Sequence, residues 1–130
     1  MPKHPVISIV DDDVSVREGM SDLFKAMGLV PVTFSRATDF LSSDHIDNTR
    51  CLIADVQMPE MTGIELHRSL IQSGKVIPTI LITAYPDEHD RSNALRAGVL
   101  GYLVKPFHNE DLIACVRSAL GPSQTERMEP

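Results

Sequence analysis

The chain has 130 residues, 42% hydrophobic and 23% charged, enough to bury one core as a single globular domain without disulfide or metal staples. Its net charge of −6, with 12 basic residues scattered among 18 acidic ones, excludes a dedicated nucleic-acid surface, which gathers Lys and Arg on one face. No apolar run approaches the roughly 18 residues needed to cross a bilayer, and MPKHP lacks the apolar stretch of a secretory signal, so a cytoplasmic protein with no membrane contact is expected.

In chain order, the first predicted strand is Val6–Val10, ending on Asp11-Asp12-Asp13. A helix follows over Val14–Met27, with Val16, Met20, Leu23, Phe24 and Met27 on one face and Gly28 as its stop. Strand two is Val30–Phe34, and Ser35 is placed to cap a short helix through Leu41. After the polar loop SSDHIDNTR, strand three is Cys51–Ala54, and it runs into Asp55 and a Met-Pro turn. Thr62 and Glu65 have capping-box spacing ahead of a third helix carrying Ile64, Leu66 and Leu70, with Gly74 after it. Strand four is Thr79–Thr83, and a weaker helix runs from about Asp87 to Ala97 and stops at Gly98. Strand five is Gly101–Val104. The last helix starts near Asn109 and ends at Gly121-Pro122, with Leu112, Ile113, Val116 and Leu120 on one side. The tail PSQTERMEP is polar and aperiodic, which divides the chain into a domain over 1–121 and a tail or linker stub over 122–130.

Alternation of β and α segments predicts an α/β fold, a doubly wound five-stranded parallel sheet with five helices. Cys51 and Cys115 lie inside apolar patterns and read as buried thiols of a reducing compartment. The five histidines lack zinc-site spacing, and no GxGxxG or GxxxxGK[ST] loop is present.

In such a sheet the residues just past the C-terminal strand ends share one crevice. Asp11 and Asp12, Asp55, Thr83 and Lys105 converge there. Each has an ordinary reading when taken alone: Asp13 and its neighbours cap a helix, Thr83 suits a strand, and Lys105 is a surface charge. Together they form a carboxylate cluster that repels itself unless a cation sits within it. A hard divalent ion fits, Mg²⁺ foremost. Carboxylate nucleophile, metal, hydroxyl and ammonium are what phosphoryl transfer requires, and an Asp can accept the group covalently.

The stretches ISIVDDD, LIADVQMPEMTGIEL, IPTILITAY and AGVLGYLVKPF, in this order and spacing, resemble the receiver domains of two-component response regulators. The likeness runs from Val6 to about Leu120 and is greatest to receivers that precede a LuxR-type helix-turn-helix, as in FixJ-like regulators. It implies the (βα)5 flavodoxin-like receiver fold and a phosphorelay role rather than that of an enzyme, catalysing only its own phosphorylation and dephosphorylation. Asp55 is then the phosphoacceptor, supplied by a sensor histidine kinase. Asp12 and Asp55 ligate Mg²⁺ directly, Asp11 through water, and Gln57 through its backbone carbonyl. Lys105 contacts the phosphate across a cis bond to Pro106, and Thr83 and Tyr102 form the switch pair. The resemblance further implies control of an output such as transcription, with a phosphorylation-dependent homodimer through helix 4, strand 5 and helix 5.

A third acid, Asp13, departs from the usual pair, and Gln57 and Tyr85 occupy positions that vary in the family. The rival enzyme reading, an aspartate-based phosphatase of haloacid dehalogenase type, needs an acid two residues after the nucleophile, where this chain has Gln57. A flavodoxin-like cofactor binder needs a phosphate-cradling loop after strand one, where three acids stand.

Overall fold

β-branched and aliphatic residues fill the three inner strands so densely that little in them faces water, as a parallel sheet covered on both faces requires, while the two edge strands stay partly open. The structure, a computed structural model, describes residues 4–121. Its elements run β1 (Val6–Val10), α1 (Val14–Ala26), β2 (Val30–Phe34), α2 (Ala37–Leu41), β3 (Thr49–Asp55), α3 (Gly63–Gln72), β4 (Thr79–Thr83), α4 (Glu88–Arg96), β5 (Gly101–Val104) and α5 (Asn109–Leu120). The five strands form one sheet in the order β2-β1-β3-β4-β5, every neighbour parallel. Strand order therefore reverses at β1 and β3, which opens a crevice at their carboxyl ends.

Alternation along the strands splits the core in two. Val10, Leu52, Ala54 and Leu81 join Phe40, Leu66 and Ala94, which come from α2, α3 and α4. Ile7, Ile9, Ile53, Ile80 and Ile82 join Phe24 of α1 and Leu112 and Val116 of α5 on the other face. Replacing one of these fully buried aliphatics by Ala costs about 2–5 kcal/mol.

Helix ends follow the expected chemistry in three cases. Asp13 caps α1 by accepting from the Ser15 and Val16 amides. Thr62 and Glu65 form a reciprocal capping box on α3, and Asp87 caps α4 by accepting from the Asp90 amide. Gly28 leaves α1 with φ 81, a conformation open to glycine without strain.

Three expectations need correction. Ser35 does not cap α2: the N-cap is Arg36, with no side-chain bond, and this five-residue helix is held by burying Ala37 and Phe40. β3 begins at Thr49, two residues before the apolar run. The Thr49 hydroxyl can enter the sheet because it donates to the His45 carbonyl (2.6 Å) and meets the buried Ser8 hydroxyl (2.7 Å). Cys51 is fully buried, but Cys115 is only partly so. Residues 122–130, expected to be a tail, lie outside the described residues.

Candidate functional site

The crevice at the carboxyl ends of β1 and β3 holds the acids. Asp11 continues β1, its amide donating to the Phe34 carbonyl of β2 (3.1 Å) while its own carbonyl accepts from the Arg17 guanidinium (2.6 Å). Its side chain is wholly buried, with Oδ1 accepting from the Asp13 amide (2.9 Å). Asp12 beside it is exposed and Asp13 turns away to cap α1.

Asp55 is the last residue of β3, and its Oδ1 accepts from the Gln57 amide at 3.1 Å. Gly63 fixes this position from behind. A β-carbon there would fall 2.5 Å from the Asp55 carbonyl oxygen, so only a residue without one lets α3 start against the end of β3. Between them the chain makes a tight three-residue turn. The Met61 amide donates to the Pro59 carbonyl (2.8 Å), and Glu60 takes φ 72, which a side chain adopts at a cost.

Lys105 follows β5 across a cis bond to Pro106, the geometry the resemblance implied. Its Nζ donates to Asp11 Oδ2 (3.1 Å) and to Asp55 Oδ2 (3.2 Å), joining two acids 44 residues apart. Burial, reinforced by the Asp11 carboxylate, pushes the Asp55 carboxyl above the usual range despite the pull of Lys105. Burial alone would lower the Lys105 ammonium, but its bonds to Asp11 and Asp55 raise it on balance. One carboxylate oxygen each from Asp11, Asp12 and Asp55 lies within 4.8 Å of the others, an all-oxygen set that could hold a metal ion. These donors fit a hard cation such as Mg²⁺, and the exposed side of Asp12 leaves room for the waters such an ion keeps.

Thr83 ends β4 with its hydroxyl buried but committed. It donates to Gln57 Oε1 (2.6 Å) and accepts from the Tyr85 amide (3.0 Å). Tyr102 stands apart from this group, its ring against the core and its hydroxyl accepting from the Asp87 amide at the head of α4 (3.4 Å). Asp11, Asp12, Asp55 and Lys105 are thus drawn together, Thr83 is tied in through Gln57, and Tyr102 is not in direct contact.

Three site features were missed in the sequence: the Gln57 side chain, the close approach at Gly63 and the strained Glu60. Gly63 alone left a signal, a glycine directly after an N-cap threonine, where a helix former is the ordinary choice.

The sequence model of the response regulator receiver domain matches residues 7–117. The chain belongs to the receiver domains of two-component response regulators. Among curated proteins this receiver is 42% identical over 123 residues to the response regulator protein TmoT of Ectopseudomonas mendocina, covering 93% of this chain and 56% of that protein. It is 32% identical over 123 residues to the transcriptional regulatory protein FixJ of Azorhizobium caulinodans, covering 95% and 58%. The receiver spans about half the length of the curated relatives it matches. Among solved structures it resembles the response regulator StyR (TM-score 0.85, 35% identity, 97% of this chain and 64% of that one). FixJ-N is also similar (TM-score 0.80, 30% identity, 92% and 95%). These likenesses bear out the flavodoxin-like receiver fold, and none favours the aspartate-based phosphatase. Domains of this kind are signalling modules rather than enzymes in the ordinary sense. Among the described residues no helix is long and apolar enough to cross a membrane.

Proposed function

We propose that this receiver accepts a phosphoryl group on Asp55 from a phosphohistidine of a sensor kinase and changes conformation in response. An Asp55 carboxylate oxygen attacks phosphorus; the new P–O bond forms as the P–N bond breaks, and the departing imidazole keeps the electron pair and takes up a proton. The product is an aspartyl phosphate, later cleaved by water. The supporting observation is the pairing of one ammonium, Lys105, with both buried acids, Asp11 and Asp55, beside the third carboxylate of Asp12.

Mg²⁺ would be held by Asp12 and Asp55 directly, Asp11 through water and the Gln57 carbonyl, and when bound it supplies charge neutralisation for the phosphoryl oxygens. Lys105 exchanges a carboxylate partner for a phosphoryl oxygen. Thr83 turns its hydroxyl to another, and the Tyr102 ring moves toward the space Thr83 leaves. Each new bond exists in one arrangement of the loops only, so the added group biases a two-state equilibrium.

The output face would be α4, β5 and α5, where Leu95 and Val104 are exposed apolar residues suited to a phosphorylation-dependent homodimer. The unit acting this way is residues 1–121, with 122–130 a tail or linker, in the cytoplasm and without direct nucleic-acid contact. Its chemistry is confined to its own phosphorylation and dephosphorylation.

Incubation with Mg²⁺ and acetyl phosphate tests the proposal. Intact mass should rise by one phosphoryl group, and Asp55→Asn should prevent it. A folded wild-type protein whose mass stays constant would overturn the assignment.

A further inference from the structure

Three groups from two strand ends close a ring of hydrogen bonds over the site. The Tyr85 amide donates to Thr83 Oγ1 (3.0 Å), Thr83 Oγ1 donates to Gln57 Oε1 (2.6 Å), and Gln57 Nε2 donates to the Tyr85 carbonyl (3.5 Å). The ring has one sense only. Oγ1 already accepts from Tyr85, and its single proton goes to the amide oxygen of Gln57. The Gln57 amide is oriented by the same ring, since the reverse orientation would set its oxygen against the Tyr85 carbonyl, two acceptors with no proton between them.

A hydroxyl has one proton to give. Thr83 is fully buried at the end of β4, so its proton has no water to go to, and the bond to Gln57 at 2.6 Å is well formed. Gln57 is also the residue whose own amide steadies Asp55, which places this competing acceptor at the rim of the phosphoacceptor.

We propose that the Gln57 side chain is the latch of the resting state: it holds the Thr83 hydroxyl, and phosphorylation is transmitted only as far as phosphoryl oxygens outcompete Gln57 for that proton. This rests on the reading of Asp55 as phosphoacceptor and adds what opposes the switch. Gln57 is a positioning residue in this role, acting through Thr83 rather than on the reacting atoms. The latch also ties β3 to the segment that leads from β4 into α4. Its release would free the Tyr85 backbone at both amide and carbonyl, the step by which a change at Asp55 reaches α4.

The test is a titration of the whole chain with beryllofluoride and Mg²⁺, followed by two-dimensional amide NMR with Tyr85 as reporter. Gln57→Met keeps length and removes the acceptor. It should tighten apparent beryllofluoride affinity by about 2- to 10-fold, the worth of one net hydrogen bond. The Tyr85 amide of the resting variant should already move toward its activated position. In a Thr83→Ala background the same change should give no tightening, because the proton in dispute is gone. Equal affinities in wild type and Gln57→Met, or equal tightening with and without Thr83, would overturn the latch. Gln57→Ala gives the same readings should Gln57→Met fold poorly. A wild-type protein with no response to beryllofluoride would instead overturn the phosphoacceptor reading, so the two failures are distinct.

Discussion

Gly63 and Asp55 meet through their backbones, with a would-be β-carbon of Gly63 2.5 Å from the Asp55 carbonyl oxygen. The site therefore depends on a residue that bears no chemistry. Gly63→Ala should push α3 away from the end of β3 and cost about 1–3 kcal/mol, as overpacking does. Urea melts would register the loss, and acetyl phosphate labelling should slow in parallel because Asp55 moves with its carbonyl. Full stability with full labelling would mean that the contact relaxes freely.

Mg²⁺ should stabilise the folded chain, since three carboxylates gain a cation they lack when unfolded. At ten times its dissociation constant the gain is about 1.4 kcal/mol, visible as a higher Tm than in chelator. Asp12→Asn should shrink that gain. Lys105→Ala should enlarge it, because without the ammonium the buried Asp11 and Asp55 have more to gain from the metal. Identical Mg²⁺ shifts in all three proteins would contradict the cluster as the binding site.

His67 of α3 is buried, and burial holds its imidazole below the ordinary value of 6.5. The unfolded chain then binds a proton that the folded chain refuses. Stability from the neutral ring is complete above 6.5 and is lost as pH falls from there through the folded value. Subtracting the stability curve of His67→Gln from that of wild type should reveal a downward slope below pH 6.5. A flat difference would show that the ring is solvated.

Glu60 holds φ 72 within the three-residue turn, and its exposed pairing with Arg36 at 3.9 Å returns little. Glu60→Gly should therefore stabilise the fold by about 0.5–1 kcal/mol after the entropy of a more flexible unfolded chain is counted, read as a higher urea midpoint. A destabilised variant would mean that the side chain contributes more than its backbone strain costs.

Much of this was legible in the residues. Strand composition and helix caps placed all ten elements, because burial on both faces writes a continuous apolar run and a capping box has fixed spacing. The acids and Lys105 could be gathered into one site because topology sends every strand end to the same edge. What escaped had non-local causes. Thr49 reads as loop until its hydroxyl is seen meeting His45 and Ser8, and Ser35 reads as a cap until the backbone enters α2 one residue later. Gln57 is expected to act through its backbone carbonyl alone, because the partners of its side chain, Thr83 and Tyr85, lie 26 and 28 residues away.

α4 rests on the body through a single buried side chain, Ala94, while its other residues meet solvent wholly or in part. A helix so thinly anchored opens at little expense, and its amide hydrogens should exchange for deuterium well before those of α1, α3 or α5. The element nearest the Thr83 segment is thus also the one most readily repositioned, so a perturbation of only a few kcal/mol at Asp55 suffices to move it.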